Sequence, residues 1–304
     1  MIAVLFPGQG AQKPGMLEPW LAHADVAAHL RELSEATDTD VVAHGTVSDA
    51  DTIRDTAVAQ PLLVAAGLAT ARAVLDGAIP GLVAGHSVGE LGAAALAGVV
   101  SEAEAMRLVT VRAQAMAAAA AAAEPTSMAA VLGGVEQDVL DRLEQLGLTP
   151  ANMNGGGQIV AAGSKAGIEA LAAEPPARTR VIELQVAGAF HTSYMEPAVA
   201  ALAEAAHSVA PVAPATALLS NADGAEVADG PDALARIVRQ VANPVRWDLC
   251  QARMLDLGVT GIIEVAPGGV LTGLAKRSLK GVPAVALTSP DDIPAARELL
   301  EQHA

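Results

Sequence analysis

The sequence predicts an α/β protein, with a parallel sheet core in a large domain and a small βαββαβ unit inserted into it. Three observations lead there. Short apolar runs end in glycine or proline turns, as at residues 2–6 before Pro7-Gly8-Gln9-Gly10 and residues 82–84 before Gly85-His86-Ser87-Val88-Gly89. Residues 217–220, 261–265 and 284–287 repeat that pattern, and alanine-rich stretches with helical spacing lie between them. Brief apolar runs alternating with helices are how buried parallel strands read. Third, the middle of the chain runs strand (127–132), helix (135–146), strand pair (152–154 and 158–162), helix (166–173) and strand (179–186). That βαββαβ order is the split-βαβ, ferredoxin-like pattern. The expected division is therefore 1–121 with 188–304 as the large domain and 122–187 as the insert. The alanine run 117–123 reads as the tail of a helix.

Composition narrows the function classes. The chain has 304 residues, 52% hydrophobic but only 2% aromatic, with 18 basic and 34 acidic side chains and a net charge of −16. So much apolar side chain can repay the entropy of ordering, which excludes disorder. A surface this acidic is a poor match for phosphate backbones, so no nucleic acid is expected. With one cysteine, Cys250, there is no disulfide framework, and no histidine or cysteine pair has metal-ligand spacing. No uninterrupted apolar run reaches membrane-spanning length, and the first residues read as a strand rather than a leader. A cytoplasmic protein with no membrane contact is expected.

The chemistry concentrates in Gly85-His86-Ser87-Val88-Gly89, a G-x-S-x-G element between an apolar strand and a helix expected over 90–97. On such a turn the serine is strained and exposed, and small flanking residues let the backbone approach closely. Its hydroxyl then faces a helix N-terminus, where free N–H groups favour a developing oxyanion. This nucleophile elbow is shared with α/β hydrolases, which makes the large domain α/β-hydrolase-like. Ser87 needs a base. Of the seven histidines, His23, His29, His44, His207 and His303 read as surface or internally satisfied groups. His86 adjoins Ser87, and adjacent side chains on this turn diverge. His191, after Gly188-Ala189-Phe190, is the candidate base, although spacing alone leaves the pairing open.

These residues carry a resemblance. Phe6-Pro7-Gly8-Gln9-Gly10-Ala11-Gln12, Gly85-His86-Ser87-Val88-Gly89-Glu90, Arg112, Gly188-Ala189-Phe190-His191, Gln240-Val241-Ala242-Asn243-Pro244-Val245-Arg246-Trp247 and Pro267-Gly268-Gly269-Val270-Leu271-Thr272-Gly273-Leu274 occur in family order. Together they resemble the malonyl-CoA:acyl-carrier-protein transacylases of fatty acid synthesis and the related polyketide-synthase acyltransferase domains. The match spans essentially the whole chain. It implies Ser87 as nucleophile and His191 as general base, with the Gln9 and Val88 backbone N–H groups as oxyanion hole. It further implies that a backbone carbonyl at or near Gln240, not a carboxylate, holds the His191 tautomer. Arg112 is implied as the clamp for the malonyl carboxylate, a role suited to a planar fork of donors. Phe190 points to malonyl rather than methylmalonyl.

What the resemblance implies is ping-pong transfer from malonyl-CoA to acyl carrier protein, through a malonyl-serine ester and without a cofactor or metal, by an expected monomer. Alternatives are a discrete polyketide-type acyltransferase, a serine esterase or thioesterase, and a silent docking module. The silent module predicts damage at Ser87, His191 or Arg112, and all three are intact. A hydrolase wants an acidic triad member ahead of its histidine, and no stretch before His191 singles itself out. Asn154 and Gln158, beside Gly155-Gly156-Gly157, read first as turn residues satisfying their own backbone, with channel lining as the alternative. Carrier proteins are acidic, so docking on a −16 surface requires a local basic patch. Lys276, Arg277 and Lys280, with Arg178 and Arg180 on the insert, are its expected members.

Overall fold

Along the chain, β1 (Ile2–Phe6) leads through α1 (Ala24–Glu35), α2 (Val41–Thr46) and α3 (Thr56–Leu75) to β2 (Leu82–Gly85), α4 (Gly89–Leu96) and α5 (Glu102–Ala122). The middle segment runs β3 (Thr126–Gly133), α6 (Glu136–Gln145), β4 (Thr149–Gly155), β5 (Gln158–Ser164), α7 (Lys165–Ala173) and β6 (Thr179–Glu183). Then come α8 (Glu196–Ala206), β7 (Ala217–Leu218), α9 (Gly230–Gln240), α10 (Trp247–Asp256), β8 (Gly261–Glu264), α11 (Val270–Ser278), β9 (Ala284–Ala286) and α12 (Ile293–Gln302). The computed structural model describes residues 1–303.

The molecule is α/β, with one parallel and one antiparallel sheet. The parallel sheet has the order β7-β2-β1-β8-β9, every pair running the same way. Its central strand shows why the sequence reads as an apolar run. Ile2, Val4 and Phe6 enter the core that holds α1, α3, α4 and α5. Ala3 and Leu5 enter the opposite core, with Trp247 and Met254 of α10 and Leu271 and Leu274 of α11. Successive side chains of a strand face opposite ways, so a sheet covered on both faces needs apolar residues at every position.

The second sheet has the order β4-β5-β3-β6 and is antiparallel throughout. One face packs on α6 and α7 through Val131, Ile159, Ile168 and Leu143. The other sends Met128, Val160 and Ala162 into the main core, so the antiparallel sheet is seated on the rest of the molecule. Main-chain bonds reinforce the seat: Met153 donates to the Val245 carbonyl and Val245 to the Ala151 carbonyl, both at 2.9 Å.

Four strands are shorter than the sequence suggests, β8 by its last position, since it ends at Glu264 rather than 265. β6 stops at Glu183 rather than 186, because its ladder with β3 ends at the Ala129–Glu183 pair. β7 is only Ala217–Leu218, because Leu219 turns to bridge Glu226. β9 ends at Ala286, and Leu287 caps the strand with a bond to the Glu264 carbonyl. The alanine run lies within α5 up to Ala122. One helix, α3, has the length and composition to cross a bilayer, yet 83% of its apolar stretch is buried inside the protein. It is a core helix.

Candidate active site

The carboxyl ends of β1 and β2 lie side by side, and their turns build the site. Gly85 and Gly89 are both required by space. A Cβ on Gly85 would sit 2.0 Å from the Gly89 carbonyl carbon, and one on Gly89 would sit 2.3 Å from the Phe6 carbonyl oxygen. Between them Ser87 adopts φ +53°, a left-handed conformation that costs a non-glycine residue about 1–2 kcal/mol. Its turn is clamped: the Ser87 N–H donates to Asn221 Oδ1 at 2.8 Å, and Gln240 Nε2 donates to the Ser87 carbonyl at 3.1 Å.

Ser87 Oγ lies 2.7 Å from His191 Nε2. His191, also left-handed at φ +62°, donates from Nδ1 to the Gln240 carbonyl at 2.8 Å. That bond puts the proton on Nδ1 and leaves Nε2 as the acceptor for the serine hydroxyl. No carboxylate contacts the imidazole among the described residues. Burial first, and then the Arg112 charge, hold His191 down to about 3, so it is neutral across the physiological range.

Arg112 is 1% exposed, carried by α5. Its Nη1 donates to Gln60 Oε1 at 2.7 Å, and its Nη2 to Gln240 Oε1 at 2.9 Å and to Ser87 Oγ at 3.3 Å. Its Nε has no partner. No carboxylate forms an ion pair with it among the described residues. Burial lowers it to about 10, so the guanidinium stays charged beside the serine, held only by neutral groups.

Gln9 and Phe190 line a chamber of about 70 Å³ with Ser87, His191, Gln60 and Met116. This opens into a cleft of about 460 Å³, and Gln9, His86, Asn152, Leu184 and Val186 border both. The Gln9 loop stays close because Gly8 packs on the His86 carbonyl. Neither the Gln9 nor the Val88 backbone N–H is engaged by another protein group among the described residues.

Asn154 corrects the turn-residue reading. Its Oδ1 lies 2.9 Å from His86 Nε2, so its side chain reaches across the cleft instead of satisfying its own turn. Both Asn154 and Gln158 line the cleft. Arg277 Nη2 donates to Gln158 Oε1 at 3.1 Å, which sets the exposed α11 cations at the cleft mouth. Arg178, just before β6, and Arg180, within it, are exposed.

Three site residues carried no signal of their own in the sequence: Gln60, Asn221 and Glu90. Glu90 falls within the motif quoted above, where an acid in a helix's first turn needs no further account. Here it is 3% exposed. Burial pushes it up to about 8, opposed by the Asn221 N–H bond, the Arg112 charge and Gln240.

A sequence model of the acyl transferase domain matches residues 4–296. A malonyl CoA-acyl carrier protein transacylase from Mycobacterium bovis is 50% identical over 298 residues, covering 96% of this chain and 98% of the relative. The chain belongs to this transacylase family. The crystal structure of MCAT from Mycobacterium tuberculosis superposes with a TM-score of 0.93 at 50% identity, covering 98% of this chain and 99% of that one. A malonyl-transacylase solved in complex with its type II PKS acyl-carrier protein superposes at 0.91 with 30% identity, over 98% and 99% of the two chains. The transacylase family supplies the context in which a serine, a carbonyl-held histidine and an uncompensated buried arginine stand together.

Proposed function

We propose that this chain transfers malonyl groups from malonyl-CoA to the phosphopantetheine thiol of acyl carrier protein, in two half-reactions through an ester on Ser87. The observation that carries the reading is Arg112: a buried, charged guanidinium beside the serine hydroxyl, held by neutral carboxamides and with no carboxylate in ion-pair contact among the described residues. A carboxylate-bearing acyl group completes it. A neutral acyl group leaves it unpaired, which penalises the wrong substrate.

Each step follows from the geometry. Ser87 gives its hydroxyl proton to His191 Nε2 as Oγ attacks the thioester carbonyl carbon. The carbonyl oxygen becomes an oxyanion facing the Gln9 and Val88 N–H groups. Collapse breaks the C–S bond, and the CoA thiolate takes the proton from His191 Nε2. The carrier's thiol then runs the sequence in reverse order of roles. A malonyl carboxylate on Arg112 offsets the charge that helps hold His191 down, so the correct substrate strengthens its own base.

The reading assigns residues 1–121 and 188–304 to an α/β-hydrolase-like catalytic domain and 122–187 to a ferredoxin-like insert that forms one side of the cleft. Every reacting group comes from one chain and none needs a metal or cofactor, so a cytoplasmic monomer suffices. The carrier protein approaches the cleft mouth, where Lys276, Arg277 and Lys280 offer positive charge on an otherwise acidic surface. The test is intact-protein mass after exposure to malonyl-CoA. Wild type gains one malonyl mass and Ser87→Ala gains none; a labelled Ser87→Ala protein overturns the reading. Persistence of the ester until a thiol is supplied separates transfer from hydrolysis.

A further inference from the structure

Glu90 is the one buried acid of the site that the acyl-transfer steps leave unused. It begins α4 beside the elbow but turns inward. Its Oε1 accepts the Asn221 main-chain N–H at 2.6 Å, and its Oε2 accepts from Gln240 Nε2. From these two acceptors, chains of bonds lead to Arg112 and to the Ser87 elbow.

The first chain runs through Gln240. Arginine has donors and no acceptor, so the Gln240 carboxamide must turn its oxygen to Arg112, which it meets at 2.9 Å. Its nitrogen is thereby committed to the other side, where Glu90 Oε2 receives it together with the Ser87 carbonyl at 3.1 Å and Asn221 Oδ1 at 3.2 Å. An acceptor is required there, because a second donor would force the carboxamide over and set its nitrogen against the guanidinium. The second chain runs through Asn221. Its main chain is tied to Glu90, its Oδ1 accepts the Ser87 N–H at 2.8 Å, and its Nδ2 donates to the Gly85 carbonyl at 2.8 Å. Glu90 does not bond Arg112 itself, so it orients the fork without pairing it.

We propose that Glu90 is a positioning residue for charged acyl groups: through Gln240 it fixes the Arg112 fork relative to the Ser87 elbow, and so sets the preference for a carboxylate-bearing acyl thioester over a neutral one. The inference rests on the roles given above to Ser87 and Arg112. It differs from them in placing the specificity on a side chain that never meets the substrate.

The experiment measures acylation of Ser87 by malonyl-CoA and by acetyl-CoA in wild type, Glu90→Gln, Gln240→Met and the double variant. Glu90→Gln keeps size and shape but turns toward one of the two donors an NH₂ group, which accepts no hydrogen bond, where either oxygen of a carboxyl, protonated or not, still can. Malonyl kcat/KM should fall about 10- to 100-fold, as for loss of a buried hydrogen bond to a charged network, with acetyl falling about 3-fold or less. The double variant should be no worse than Gln240→Met, because both act through one link. Equal losses for the two acyl groups, or additive losses in the double variant, overturn the proposal in favour of a purely structural role. If Glu90→Gln fails to fold, Gln240→Met decides: it leaves the Gln240 carbonyl in place for His191, and an unchanged malonyl-over-acetyl preference overturns the proposal. Ser87→Ala run alongside keeps the two ideas apart, since label on that variant sinks the nucleophile, whereas an unchanged preference in Glu90→Gln sinks only this inference.

Discussion

The two walls of the cleft are built differently. Behind Ser87, α3, α4, α5, α9 and the loop after β7 supply a buried polar network in which Arg112, Gln240, Asn221, Glu90 and Gln60 are each 4% exposed or less. They satisfy one another through bonds that cross long stretches of chain. Facing Ser87, the antiparallel sheet and the segment after it offer Met128, Leu184 and Val186, and Asn154 bonds His86 through its side chain. One wall fixes charge and geometry, and the other fixes shape and access. A polar network in a low-dielectric setting is worth most when complete and costs most when broken. Damage behind the serine should therefore cost far more than damage in front of it.

The sharpest test removes the charge. Arg112→Ala should lower malonyl kcat/KM about 10²- to 10³-fold, the cost of deleting a buried partner of a charged group, while acetyl transfer changes much less. Steady-state kinetics with the two CoA esters measure it. Equal losses would mean that the back wall supports the serine generally and does not read the acyl charge.

A second test uses protons in place of substitutions at the arginine. Glu90 holds its proton up to about 8 in the folded protein against an ordinary 4.5, so the native state binds more protons than the unfolded chain between those values. Stability from this group is complete below 4.5 and is lost as pH rises through 8. His191 works the other way: lowered from 6.5 to about 3, it makes stability rise with pH across that window. The two slopes oppose each other between 4.5 and 6.5, and Glu90 acts alone from 6.5 to 8. There, unfolding free energy should fall by up to about 1.4 kcal/mol per pH unit, and Glu90→Gln should flatten the slope. Urea unfolding at several pH values reads both, and a flat wild-type curve over that range breaks the account of the back wall.

The contrast between the walls also marks what the sequence could disclose. Parallel strands were legible because a sheet covered on both faces is apolar at almost every position, Glu264 at the end of β8 excepted, and the elbow was legible because its constraint is local: Gly85 and Gly89 are needed for contacts within a few residues and with β1. The βαββαβ order from β3 to β6 was readable for the same reason, being a succession of local periods. The back wall was not. Asn221 reaches the Ser87 N–H across 134 positions of chain, and a lone asparagine after a two-residue strand has no pattern to announce it. Gln60 reads as one polar residue in an apolar helix. Glu90 was visible yet uninformative, since an acid suits the first turn of any helix. Asn154 was misread because glycine neighbours explain an asparagine without reference to His86, which lies 68 positions away.

The smallest effect should come from the front wall. Asn154→Ala removes the bond from His86 while leaving the Asn154 carbonyl, which still accepts from Gln251 Nε2 at 2.8 Å, so the seat of the antiparallel sheet remains. A lost neutral hydrogen bond of about 1 kcal/mol should raise KM for malonyl-CoA about 5-fold. The maximal rate should stay within about 2-fold, because an interaction that serves substrate and transition state alike changes binding and not turnover. His86 keeps its edge-on contact with Trp247, at a ring separation of 5.6 Å, and so still backs the elbow. A fall in the maximal rate as large as the rise in KM would show that the front wall takes part in aligning the reacting groups, and the division between a wall for chemistry and a wall for access would then fail.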